Sequence, residues 1–330
     1  MARSRTREGL RSLINPGSRE IPLLETPMTA TDQTGAAVPP PQAVERVPIV
    51  TALREIAAEL SGYRNLLRQL VIRDLRVRYK QAVLGAAWAL FMPALVVLSG
   101  MLVRFAMAQM TAGSFDRTTV AALALKGLGW GFFAGAIGMA TPSLAANANL
   151  VSKVYFPREM LPVATVLAQG VDTLVGSLLL LTLAPWLGVP LSTGLLWVPL
   201  LLALLFCLTT AVALLLSCAN VFFRDVKYIV QVLLTFGIFF TPVFYEPAML
   251  GPTGAHLVML NPLAPLLEGM RLAVLDGQNL LLTLTAPSPR GDVAAWSPWY
   301  LAYSAAWALG GLLVSALAFH RVEPDLSEYV

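Results

Sequence analysis

YRNLLRQLVIRDLRVRYKQAVLGAAWALFMP, residues 63–93, is the stretch that decides the fold. Its first half is basic and amphipathic, and it runs into an apolar half almost without a break. On a helical wheel Leu66, Leu67, Leu70, Val71 and Val77 share one side, while Arg64, Arg68, Arg73, Arg76 and Lys80 share the other. The pattern predicts an interfacial helix over 63–83 lying on a membrane surface, followed by a helix that crosses the membrane. Six basic residues between positions 61 and 83 face one acid, which suits an anionic leaflet. That acid, Asp74, projects from the apolar side, and Arg78 one turn later is placed to pair with it. The charges alone fit equally well a basic flank that only fixes topology.

Composition carries the same message along the whole chain. Of 330 residues 57% are hydrophobic and 13% charged, with a mean hydropathy of +0.69. Soluble domains carry roughly twice that charge fraction, so lipid must solvate most of this chain. The net charge of +4 is small and the basic residues gather near membrane ends, so no nucleic-acid partner is expected. Cys207 and Cys218 share one apolar stretch, about 16 Å apart along a helix, too far to bridge each other. Residues 1–50 hold seven prolines and no apolar period, which predicts a disordered cytoplasmic extension ahead of a membrane domain over 51–330. No apolar core of signal-peptide type precedes position 61.

The expected fold is an all-α integral membrane bundle with six spans, at about 84–108, 120–145, 161–187, 195–219, 228–245 and 299–319. Each is long enough for roughly 30 Å of hydrocarbon, the fifth only just. With both termini cytoplasmic, the inner flanks hold 11 Lys and Arg and the outer connections 5, counting Arg104 and Lys126 as snorkelling outward. Residues 246–297 are too long for a turn and too broken for a span, which predicts short re-entrant or interfacial helices on the outer face. Gly127, Gly131 and Gly135 form a small-residue ridge suited to close packing within the subunit.

Two connections on the inner side stand out. NANLVSKVYFPREMLP, residues 147–162, mixes a lysine, an aromatic pair, a proline and an Arg-Glu pair, the residue types of a protein interface. NVFFRDVKYIV, residues 220–230, carries Arg224 and Asp225, which fit either a topological anchor or a second partner contact. The apolar stretches also carry aromatic residues, among them Trp88, Phe91, Trp130, Phe240 and Tyr245; a subset could line a pore, while the rest face lipid or pack.

These strings resemble the permease subunit of ABC-type exporters for polysaccharides and polyol phosphates, a bacterial family. RDLRVRYKQAVLGAAWALFMP is similar to that family's RDL-x-x-RY-x-x-x-x-LG-x-x-W-x-x-x-x-P run, and 147–162 to its N-x-x-L-x-x-K-x-x-FPR-x-x-LP string. The RD pair at 224–225, TPVFYEP at 241–247 and NPL at 261–263 also look like family strings, so the likeness covers roughly 62–319. The resemblance implies that Lys153, Tyr155, Phe156, Pro157, Arg158 and Glu159 form a coupling segment docking on a separate ATP-binding subunit. It further implies a homodimer in the bacterial inner membrane and a lipid-linked cargo such as O-antigen, capsule or teichoic acid. Arg73, Arg76, Arg78 and Lys80 would then meet the cargo's diphosphate.

Other chemistries find no motif. The chain has no G-x-x-x-x-G-K-[ST], so it cannot bind ATP through a phosphate loop. His256 and His320 lack metal-ligand spacing, no G-x-S-x-G is present, and no cofactor or metal is expected. An intramembrane glycan enzyme would need paired carboxylates, whereas Glu246, Glu268, Asp276 and Asp292 read as isolated. A permease of the same fold for small drugs or lipids is the nearer alternative.

Overall fold

The structure, a computed structural model, describes residues 58, 62–80, 87–111, 116–153, 156–190, 192–286 and 293–329. The expected extension over 1–50 lies outside them, as does the start of the first span before residue 87. Helix α1 (Arg64–Tyr79) is followed by α2 (Trp88–Thr111) and α3 (Arg117–Ala140). Two short helices, α4 (Ser143–Ala146) and α5 (Ala148–Lys153), lead to α6 (Met160–Leu183). A 3₁₀ turn (Thr193–Trp197) opens α7 (Val198–Phe222), and α8 (Val226–Phe240) follows at once. Then come α9 (Gly251–Met259), α10 (Leu263–Val274), strands β1 (Leu284–Ala286) and β2 (Val293–Trp296), and α11 (Pro298–Tyr329).

Among the described residues four helices are long and apolar enough to cross a membrane: Arg117–Ala140, Met160–Leu183, Thr193–Phe222 and Pro298–Glu323. α2 has 24 residues, with its described apolar stretch at Val97–Ala106. α8 has only 15 residues, about 22 Å of helix, so the stretch read as a span over 228–245 ends as a helix at Phe240 and continues as a turn. The second stretch is also shorter than expected. Pro142 cannot supply an amide to a continuing helix, and the Thr141 hydroxyl donates to the Ile137 carbonyl at 2.7 Å where α3 stops.

The segment after α8 does form short helices, α9 and α10. It also forms an antiparallel hairpin, pairing Leu284 with Trp296, Thr285 with Ala294 and Ala286 with Val293; this corrects the all-α expectation at one small place. Trp296 is fully buried and donates its indole N–H to the Leu280 carbonyl at 2.9 Å, which fastens the hairpin to the bundle. Close approach sets the entry of α7: a Cβ on Gly194 would collide with the Ala273 carbonyl oxygen of α10.

Two buried clusters run along the bundle. The larger joins α3, α7, α8, α10 and the hairpin through residues such as Ile137, Leu205, Leu267 and Trp296. The smaller joins α1, α4, α6, α7 and α11 through Leu70, Leu144, Met160, Leu214 and Phe319. We call the corresponding regions the hairpin end and the α1 end. In lipid, water exclusion does not hold such helices together, so close packing and the polar contacts between them must. Of the expected glycine ridge, a Cβ added at Gly135 would crowd Gln169 of α6, whereas one at Gly131 would meet nothing within 4 Å.

Candidate functional site

Three polar clusters interrupt this apolar bundle. The first is the seam between α1 and α6. Leu66, Leu67, Leu70 and Val71 pack into the α1-end cluster, as the amphipathic pattern requires. Val77, placed on the same side in the sequence, is instead 70% exposed. The contact line shifts toward Asp74 and Arg78, because α6 presents a polar stripe there. The Arg78 guanidinium donates to Gln169 at 2.9 Å and forms an ion pair with Asp172, and the Tyr79 hydroxyl donates to Asp172 at 2.7 Å. The Tyr79 phenol is pushed up to about 12 by burial and then by that hydrogen bond.

This corrects the expected Asp74–Arg78 pairing. Asp74 is held by Arg73 at 2.9 Å and accepts from Thr165 of α6 at 3.4 Å. Residues 165, 169 and 172 meet 74, 78 and 79 in the same order, so the end of α1 follows α6 away from its start. Asp172 lies twelve residues into α6, about 18 Å along its axis. Arg76 and Lys80, by contrast, are exposed.

The second cluster surrounds the 147–162 connection. The Asn147 amide donates to the Ser143 carbonyl at 2.8 Å and closes the turn after α4. Of the expected coupling residues, Lys153 ends α5 and Tyr155 lies outside the described residues. Phe156 is 4% exposed, inside the cluster of Leu70, Met160 and Phe319, so within this chain it is a core residue and presents no free face. Pro157 and Glu159 are also buried. The Arg158 guanidinium donates to the Glu323 carbonyl oxygen, and the Arg158 amide donates to the Glu323 carboxylate at 3.0 Å. The second connection is different in kind: Phe223, Arg224 and Asp225 are all exposed. Beside it, a groove of about 590 Å³ between α3 and α8 is lined by Ala134, Gly138, Lys227, Gln231 and Thr235 among others.

The third cluster lies at the hairpin end. Lys126, expected to snorkel outward, is buried at 2% exposure. Its ammonium donates to the Tyr245 carbonyl at 2.8 Å and to Glu268 at 3.3 Å. Arg271 donates to the other oxygen of Glu268 at 2.7 Å and to Asp276 at 2.9 Å. Arg104 of α2 reaches Glu246 at 3.2 Å. Glu246, Glu268 and Asp276 are therefore members of a charge network, each with a cation beside it. Lys126 turns inward because two acceptors converge on it, and a buried ammonium with fewer partners would be far costlier.

The aromatic residues divide. Trp130 is buried beside Phe133 and over Gly237, whereas Phe91 and Phe240 are exposed. The Tyr245 hydroxyl donates to the Phe239 carbonyl at 3.1 Å. α2 carries Trp88, whose side chain lies outside the described residues. Sequence reasoning missed Gln169, Asp172 and Glu323. Asp172 left a usable signal, as the one ionisable residue in the stretch 161–187; Glu323 left none.

The geometry is thus a helical membrane bundle with a polar seam, a folded connection over 147–162 and a buried charge network. The O-antigen export system permease protein RfbA of Myxococcus xanthus is 29% identical over 214 residues, covering 64% of this chain and 81% of the relative. Two proteins of that name from Klebsiella pneumoniae are 27% and 26% identical over 215 residues, with the same coverage. The model of the ABC-2 type transporter family matches residues 65–275, from α1 through α10, and the chain belongs to that family.

Proposed function

We propose that this chain is the permease subunit of a bacterial ABC exporter that moves a lipid-linked polysaccharide across the inner membrane. The observation that carries the reading is the family match over 65–275 together with relatives named as O-antigen export permeases along 81% of their length. Two copies would line the path, and a separate ATP-binding subunit would hydrolyse ATP, since this chain has no phosphate loop. In this reading the bundle has six spans, α2 and α8 among them, with both termini cytoplasmic and α1 at the inner interface. α8 reaches the outer face through the turn that follows it.

The docking role stays with the segment 153–159, but its surface is narrower than its sequence suggests. Phe156 and Arg158 are engaged within the chain, so their replacement by alanine would disturb the fold before it disturbed docking. Lys153, at the end of α5, is the better probe. A single cysteine there is expected to cross-link to the ATP-binding subunit in the assembled complex, while the purified permease alone hydrolyses no ATP. Parental ATPase activity in the permease alone, or no cross-link from position 153, would remove the assignment.

The topology has its own check. Leu282 and Phe223 are both exposed and fall on opposite sides in this reading. In a background lacking Cys207 and Cys218, an impermeant thiol reagent with periplasmic access is expected to label a cysteine at 282 and spare one at 223. The reverse pattern would invert the orientation.

A further inference from the structure

We propose that Glu323 is a positioning residue for energy coupling: it holds Arg158 and so fastens the docking segment to the last helix, α11. The inference rests on the reading that 153–159 receives the ATP-binding subunit. Two hydrogen bonds, both donated by Arg158 and accepted by Glu323, join the elements across 165 residues of sequence. The Glu323 carboxylate accepts the Arg158 backbone N–H, and the Arg158 guanidinium donates to the Glu323 carbonyl oxygen. Both ends of the tie are part-buried.

The local chemistry explains why an acid stands there. The Arg158 N–H lies just ahead of α6, where amides have no carbonyl of their own helix to meet. A carboxylate supplies that acceptor and also faces the positive end of the α6 dipole. Phe156 and Phe319 lie in one buried cluster beside the tie, so the segment and α11 are packed as well as bonded.

A displacement arriving at 153–159 has two ways onward. Along the chain it reaches α6. Through Glu323 it reaches α11, whose length packs against α7. Apolar contact alone is non-directional and tolerates sliding, whereas a pair of hydrogen bonds fixes both distance and angle. Glu323 therefore makes α6 and α11 move together when the segment is pushed. Without it, α6 would take the motion and α11 would lag.

The test uses the full permease assembled with its ATP-binding subunit, in the native host and as purified complex. Glu323→Ala removes the carboxylate that accepts the Arg158 N–H and leaves the Arg158 guanidinium its bond to the backbone carbonyl of residue 323, and Glu323→Gln keeps a side-chain acceptor oxygen. Each is combined with a cysteine at Lys153 for cross-linking to the ATP-binding subunit. Glu323→Ala is expected to keep the cross-link and the ATPase rate while glycan reaching the cell surface falls roughly tenfold, the size of one lost hydrogen bond to a charged group. Glu323→Gln is expected to restore most of that export. The proposal fails if Glu323→Ala exports as the parent does. It fails equally if export falls only in step with membrane level and cross-linking, because Glu323 then serves folding alone. Absence of the cross-link in the parent itself would overturn the docking reading, and this inference with it, before any Glu323 variant is compared.

Discussion

Glu268→Leu is expected to lower the thermal unfolding midpoint of the detergent-solubilised permease sharply, and Lys126→Met/Glu268→Leu to recover most of the loss. Glu268 is 2% exposed and stands between two cations, with Lys126 at 3.3 Å and Arg271 at 2.7 Å. Removing it leaves a buried ammonium with a backbone carbonyl as its remaining hydrogen-bond partner. Breaking a buried pair in this way costs about 3–5 kcal/mol, whereas replacing both members by apolar residues of like size is often neutral. Arg271 is less exposed to the change because Asp276 still accepts from it at 2.9 Å. Tryptophan fluorescence against temperature measures the outcome. Equal midpoints for the single and double variants would show that Lys126 does not depend on Glu268, and the network would reduce to independent contacts.

That cluster also shows where sequence reading stops. The helices of this chain were legible because an apolar stretch of more than 18 residues has few alternatives in lipid. α3, α6, α7 and α11 follow the expected spans within a few residues, save that α11 continues past Phe319 to Tyr329. α1 was legible from its leucine spacing. What a single helix could not reveal was its neighbour. Lys126 reads as a snorkelling residue until Tyr245 and Glu268 are brought to it from 119 and 142 residues away. Asp74 reads as the partner of Arg78 because both sit on one helix face, yet Arg78 finds Asp172 on α6. Phe156 reads as an interface residue, and within the chain it is buried in one cluster with Phe319 of α11. For Lys126 and Asp74 a local rule gave the right residue type and the wrong partner, since partner choice depends on which helices are adjacent.

The seam between α1 and α6 separates two roles that the sequence assigns to one row of arginines. Arg76 and Lys80 are exposed, whereas Arg78 is engaged by Gln169 and Asp172. In the proposed reading, of Arg73, Arg76, Arg78 and Lys80 it is the exposed Arg76 and Lys80 that meet a cargo diphosphate at the inner interface, so charge there should govern loading and Arg78 should govern assembly. Arg76→Ala/Lys80→Ala is expected to leave the amount of folded complex unchanged while glycan accumulates inside the cell. Arg76→Lys separates a planar phosphate clamp from simple attraction to anionic lipid, because lysine keeps the charge and loses the paired donors. Arg78→Leu is expected to act differently. It takes the cation from Asp172, which is 9% exposed and keeps only the Tyr79 hydroxyl as a partner, at a cost of about 3 kcal/mol. The folded permease recovered from membranes should fall, and Arg78→Leu/Asp172→Leu should bring it back. Size-exclusion chromatography of the complex reads assembly, and surface glycan reads export. If Arg78→Leu assembles as the parent does but blocks export, the ion pair is not holding α1 in place. Arg78 would then belong with Arg76 and Lys80 in contacting the cargo, and Asp172 would be the group that the diphosphate displaces.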